Sequence, residues 1–255
     1  MIRLILSLVL LGLPFMGFSQ ENLNNASKTM EQGKILNVKE VRFDSEKPSF
    51  TEIDSMFNAM AIPFNAIDIE NWSGYEYKPD VKFRIAYSET EIYLQYRVVE
   101  SCIKAVYGED AGSAPYKDSC LEFFCIPHTD SPAYYNLELN CIGKGTFAGG
   151  EKRTERTKFT DEVLCQIRRF STLGDAAFGT KTSDGEPFEY TLTVAIPLKL
   201  YSLSSMEPLK GRTIKANFYK CGDDMPQRHY LSWNPIGTER PNFHTPQYFG
   251  DLYFE

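Results

Sequence analysis

Two neighbouring stretches decide the fold: DSCLEFFCI at residues 118–126 and YYNLELNCI at residues 134–142. Each is nine residues long, rich in aromatic and branched side chains, and a Pro/Asp/Ser turn separates them. That is the signature of paired strands. Side chains alternate across a strand, so Tyr135, Leu137, Leu139 and Cys141 share an apolar face, and Tyr134, Asn136, Glu138 and Asn140 share the other. In the preceding strand Leu121, Phe123 and Cys125 group together, opposite Cys120, Glu122, Phe124 and Ile126.

The same pattern continues in both directions. Upstream, Val81–Tyr87 and Glu91–Val99 flank a Ser88–Glu89–Thr90 break and read as a hairpin. Downstream, Val163–Phe170, Phe188–Ile196, Thr213–Cys221, His229–Trp233 and Phe249–Phe254 extend the series. Many short strands divided by turns imply an all-β chain, a β-sandwich of jelly-roll or immunoglobulin-like type. No strand–helix alternation suggests an α/β sheet. One short helix is expected after Ser49, which has capping-box spacing to Glu52 and is followed by Ile53, Met56, Phe57 and Met60 on one side. Gly143–Asp161, with four glycines and mixed charge, reads as a long mobile loop.

The N-terminus reads differently. Arg3 precedes the apolar stretch Leu4–Phe18, and small residues at Gly17 and Ser19 suit cleavage before Gln20. Residues 1–19 are therefore expected to be a signal peptide, 20–40 a polar tether and 41–255 the sandwich. Export to the periplasm or the cell exterior follows. The apolar run is short of the ~18–20 residues a membrane span needs, and Pro14 interrupts it. The chain carries a formal charge of −7; losing Arg3 with the leader makes it −8. An acidic surface repels phosphate backbones, which argues against nucleic-acid partners. Six cysteines permit disulfides, yet Cys120, Cys125, Cys141 and Cys221 lie in strand-like runs, where small buried thiols are common.

If Glu122 and Glu138 lie on one side of the sheet, that surface gathers two carboxylates, two amides and a tyrosine, with Asn217 and Tyr219 extending it. Three readings remain open. It is a solvated outer face, or a sugar-binding face whose amides and carboxylates match vicinal hydroxyls, or a glycosidase using the Glu122/Glu138 pair. His128, His229 and His244 are scattered, no EF-hand pattern occurs, and no G-x-S-x-G elbow is present. No residue is assigned to a metal. Trp72 reads as core; Trp233, at a strand end before Pro235, either plugs the core or offers its ring to a ligand.

Several stretches resemble carbohydrate-binding module family 9. They are KDSCLEFFCIP (Lys117–Pro127), YYNLELNCIG (Tyr134–Gly143), the VAIP turn (Val194–Pro197), ANFYKCGD (Ala216–Asp223) and LSWNPIGTERPNFHTPQYFGDLYFE (Leu231–Glu255). The likeness implies a non-catalytic module of polysaccharide catabolism that grips a glycan terminus between two aromatic rings. It also implies a structural calcium and companion glycosidases. Trp233 matches one aromatic wall in its W-N-P setting. At the other wall the family has a tryptophan; here the nearest aromatic is Tyr116. Lys117, Asn136, Glu138 and Asn217 are the expected polar contacts to an oligosaccharide or polysaccharide. The rival readings are a glycoside hydrolase and an exported sandwich that pairs with another protein.

Overall fold

The computed structural model describes residues 33–128 and 130–255. The expected signal peptide and residues 20–32 of the tether lie outside them. Sixteen strands occur among the described residues. They are β1 (Ile35–Glu40), β2 (Asn65–Ala66), β3 (Ile69–Glu70), β4 (Asp80–Tyr87), β5 (Glu91–Glu100), β6 (Cys102–Ala105), β7 (Cys120–Ile126) and β8 (Tyr134–Asn140). They continue with β9 (Gly145–Lys152), β10 (Glu155–Lys158), β11 (Arg168–Ser171), β12 (Phe178–Thr182), β13 (Phe188–Pro197), β14 (Thr213–Cys221), β15 (Tyr230–Ser232) and β16 (Gly250–Phe254).

One sheet runs β10-β9-β8-β7-β14-β16-β1 and the other β1-β4-β5-β13-β11. Strand β1 belongs to both. Ile35–Val38 pair in parallel with Asp251–Phe254 of β16, and Lys39–Glu40 then pair in parallel with Ala86–Tyr87 of β4. The tether is therefore shorter than expected. Residues 35–40 alternate in burial around a fully buried Val38, and unpaired backbone at this depth would be costly.

The sheets face one another across an aromatic stack. Phe83 of β4 lies 3.6 Å, centroid to centroid, from Phe218 of β14, which stacks on Phe123 of β7 at 5.0 Å. Tyr96 of β5 donates to the Glu122 carbonyl of β7. A buried ion pair also bridges the sheets: Lys220 Nζ of β14 lies 3.0 Å from Glu100 Oε2 of β5, both side chains wholly buried. Tyr190 donates to the other oxygen of Glu100, and His229 Nε2 sits 2.8 Å from the Lys220 ammonium.

The expected capping box is present: α1 (Phe50–Ala59) begins after Ser49, whose hydroxyl accepts from the Glu52 amide while Glu52 accepts from the Ser49 amide. Its Ile53 and Phe57 are buried against the outer side of the second sheet, beside Ala86, Tyr93 and Ala195. Two segments differ from expectation. The first half of Val163–Phe170 belongs to a helical turn, α2 (Asp161–Leu164), and the strand begins only at Arg168. Gly143–Asp161 is not a loop but the β9–β10 hairpin. Its glycines answer to crowding rather than mobility: a Cβ on Gly145 would sit 1.8 Å from the Glu138 carbonyl oxygen, and one on Gly149 would meet the Tyr135 ring at 2.9 Å.

All six cysteines are free, five of them buried and Cys165 exposed. Among the described residues no helix is long and apolar enough to cross a membrane.

Candidate functional site

The outer face of the first sheet carries the polar row read from the sequence. Glu122 and Glu138 are directly opposed in the β7–β8 register, Glu122 opposes Tyr219, and Phe124 lies between Asn136 and Asn217. All six therefore share one face. The face divides into two parts. Over β7 and β14 it is closed by residues 234–249: Phe243 stacks on Tyr219 at 4.1 Å, Trp72 packs on Phe243, and the Trp72 indole N–H donates to the Thr238 carbonyl. Trp72 is core, as expected. Over β8–β10 the face stays open as a cavity of ≈ 200 Å³. Tyr116, Asn136, Glu138, Arg156 and His244 line it, with Ser113 at one side.

Arg156 organises this cleft. It projects from β10 beneath Tyr134, its guanidinium carbon 3.9 Å from the ring centroid. Its Nη1 donates to the Gly150 carbonyl, and its Nη2 to the Tyr134 carbonyl and the Asn136 side-chain oxygen. Asn136 Nδ2 in turn donates to Glu138 Oε1 at 2.9 Å. The chain of bonds fixes the amide orientation. Burial raises Glu138 above the usual carboxylate range, against the opposing pull of the Asn136 bond and the Arg156 charge. Burial, assisted by the Arg156 and Arg153 cations, lowers His244 to about 3, so its imidazole is neutral; Nδ1 lies 2.9 Å from the Tyr134 hydroxyl. Two cleft groups find no partner within the protein: Arg156 Nε and the Ser113 hydroxyl.

The expected site residues separate accordingly. Tyr116, on a 3-10 turn, is 40% exposed and shares the cleft with Asn136 and Glu138. Lys117 does not line it; its ammonium lies 3.7 Å from Asp224. Asn217 is wholly buried, accepting from the Asn234 amide and donating to the Asn234 carbonyl, so it staples the segment after β15. Trp233 is the main correction. It is not at the rim but in the core, 3% exposed, edge-on to Phe83 and Phe218 and packed over Gly250, where a Cβ would meet the indole at 2.7 Å. The W-N-P setting marks a strand end but not which face the ring takes.

Arg156, His244 and Ser113 were not read from the sequence. Arg156 lies in the β9–β10 hairpin, whose glycines read as a loop, and His244 in the long covering segment. The alternation of Arg156 and Lys158 about Thr157 was the signal available for the first.

Glu122 does not line the cleft, and the thiol of Cys221 lies 3.1 Å from its carboxylate. Only one of the two carboxylates thus faces the cavity, whereas glycoside hydrolysis places a pair about a scissile bond. As for calcium, which takes oxygen ligands, no group of three or more acidic side chains gathers among the described residues, and none is assigned to that ion.

A sandwich holding a small polar cleft suits a binding module. The chain belongs to carbohydrate-binding family 9, whose family model matches residues 51–254. A candidate carbohydrate-binding protein from Bacteroides uniformis has a similar structure, with 40% identity and a TM-score of 0.83 over 88% of this chain and 100% of that one. Two structures of family 9 modules from Caldicellulosiruptor kristjanssonii share the fold at 14% identity. One, in complex with glucose, gives a TM-score of 0.53 over 87% of this chain and 96% of that one. The other, in complex with cellotriose, gives 0.55 over 87% and 94%. No curated protein matches the chain.

Proposed function

We propose that the chain binds a terminal sugar residue of a glycan in the cleft lined by Tyr116, Asn136, Glu138 and Arg156, without transforming it. One observation carries the assignment. Arg156 Nε and the Ser113 hydroxyl, both cleft-lining, are buried without a protein partner. An unmade bond of this kind costs about 1–3 kcal/mol, which vicinal hydroxyls of a ligand would recover. Tyr116 supplies a half-open aromatic face for the ring carbons. The cavity is smaller than the roughly 300–1,000 Å³ of ordinary ligand pockets, which suits one ring at a chain end rather than a strand of sugars laid along the sheet. The glucose and cellotriose held by the Caldicellulosiruptor modules support this ligand class. The apolar leader at residues 4–18 supports export, and hence a role in polysaccharide catabolism beside secreted glycosidases.

Isothermal titration against a panel of gluco-, xylo- and manno-oligosaccharides tests the reading. Binding is expected at micromolar to millimolar strength, about −4 to −8 kcal/mol. It should weaken about fivefold in Ser113→Ala, the worth of one hydrogen bond. Isotherms that stay identical in Ser113→Ala and Tyr116→Ala would remove the ligand from this cleft.

A further inference from the structure

Beneath the cleft wall, on the same face of the sheet, two thiols and a carboxylate converge. Cys120 and Cys221 are directly opposed in the β7–β14 register, and Glu122 lies one alternation along β7 on the same side. One oxygen of Glu122 lies 3.1 Å from the Cys221 sulfur and 3.8 Å from the Cys120 sulfur. All three donor atoms lie within 4.8 Å of one another, and none of the side chains is more than 3% exposed.

This is a poor resting place for a carboxylate. The hydrogen-bond donors around it are thiols, which donate weakly, and a buried carboxyl group ordinarily finds stronger partners. The two sulfurs and one carboxylate oxygen instead face one another across the β7–β14 ladder. Their spacing suits a tetrahedral ion. With metal–sulfur bonds of about 2.3 Å and metal–oxygen bonds of about 2.0–2.2 Å, tetrahedral geometry separates sulfur from oxygen by about 3.5 Å. The two observed sulfur–oxygen distances bracket that value.

We propose that Cys120, Glu122 and Cys221 form a binding site for a thiophilic divalent cation of the zinc class. Two thiolates select a soft or borderline ion over calcium or magnesium. Two thiolates and one carboxylate around one divalent ion give a site of net charge −1, and the thiol protons leave as the metal enters. Water, or the Tyr116 carbonyl oxygen 3.7 Å from the Cys221 sulfur, would complete the coordination. An ion here would tie β7 to β14 and hold the turn that carries Tyr116.

Cobalt(II) titration of the full chain, purified reduced and metal-free, tests the site through the sulfur-to-metal charge-transfer band. The expected result is one ion per chain, a band of two-thiolate intensity, and displacement by zinc but not calcium. Cys165→Ser, a surface change, should leave the band intact. Cys120→Ser and Cys221→Ser should abolish it. Glu122→Gln should weaken binding beyond the roughly 10–100-fold that loss of an outer-shell partner costs. If the cysteine variants do not fold, the wild type and Cys165→Ser still decide the matter. Reduced protein that shows no band, or a band lost in Cys165→Ser, overturns the proposal. So does an intact mass short of two hydrogens with a recovered Cys120–Cys221 peptide, which would make the pair a disulfide.

Discussion

Two buried polar clusters occupy opposite faces of one sheet, and they differ in how they are satisfied. On the inner face, Lys220 is neutralised by Glu100 and held against the neutral ring of His229, whose Nδ1–H donates to the Gln227 carbonyl. The contact with Glu100 Oε2 is a charge contact rather than an aligned hydrogen bond, yet every charge there has its partner. On the outer face, Arg156, Asn136 and Glu138 bond to one another, while Arg156 Nε and the Ser113 hydroxyl, buried among the cleft residues, have no protein partner. Closed polar networks are scaffold. One left incomplete among cleft residues has unspent bonding capacity, which supports the proposed site.

Variants that disturb each face should therefore fail in different assays. Lys220→Ala strands the Glu100 carboxylate in the core and is expected to cost about 3–5 kcal/mol, read from urea midpoints. Trp233→Ala should cost a similar ~3–5 kcal/mol by cavity formation. Its remaining folded fraction should titrate oligosaccharide with unchanged affinity; lost affinity at full foldedness would return the indole to the site. His229 gives a subtler inner-face signal. Burial, aided by the Lys220 charge, holds its pKa well below the usual histidine value. The unfolded chain takes up the proton near pH 6.5 and the folded chain does not, so this contribution to stability falls as pH drops below 6.5. Between pH 7 and 5 the loss amounts to up to about 2 kcal/mol. The stability difference between wild type and His229→Gln should shrink over that interval. On the outer face, Tyr116→Ala should leave the melting temperature nearly unmoved while costing about 1 kcal/mol of binding, some five- to tenfold in Kd.

Much of the scaffold was legible because strand periodicity reports burial directly. The Thr213–Cys221 reading matches β14, the Tyr134–Ile142 reading overruns β8 by two residues, and the Ser49–Glu52 box predicts α1 because capping is local chemistry. Parity sorts Glu122 and Glu138 within their own strands, and the β7–β8 register then meets the condition that they share a side. What failed depended on tertiary contacts. Glycine in Gly145–Lys152 looks like a loop signal until the Glu138 carbonyl and the Tyr135 ring are seen to exclude a side chain. An indole at a strand end can turn inward or outward, and Gly250 decided it by leaving room for the ring. Arg156 and His244 reach the cleft from segments far apart in sequence, a convergence that no spacing rule encodes.

The shared strand β1 has a consequence for how the molecule is made. Ile35 registers with Asp251, so the seam joining the two sheets is stitched from the opening and closing residues of the described fold. Contacts of such sequence separation close late and slowly. Assembly must wait for nearly the whole of the described fold, and shaving Asp251–Glu255 would strip Ile35–Val38 of their partner in the first sheet.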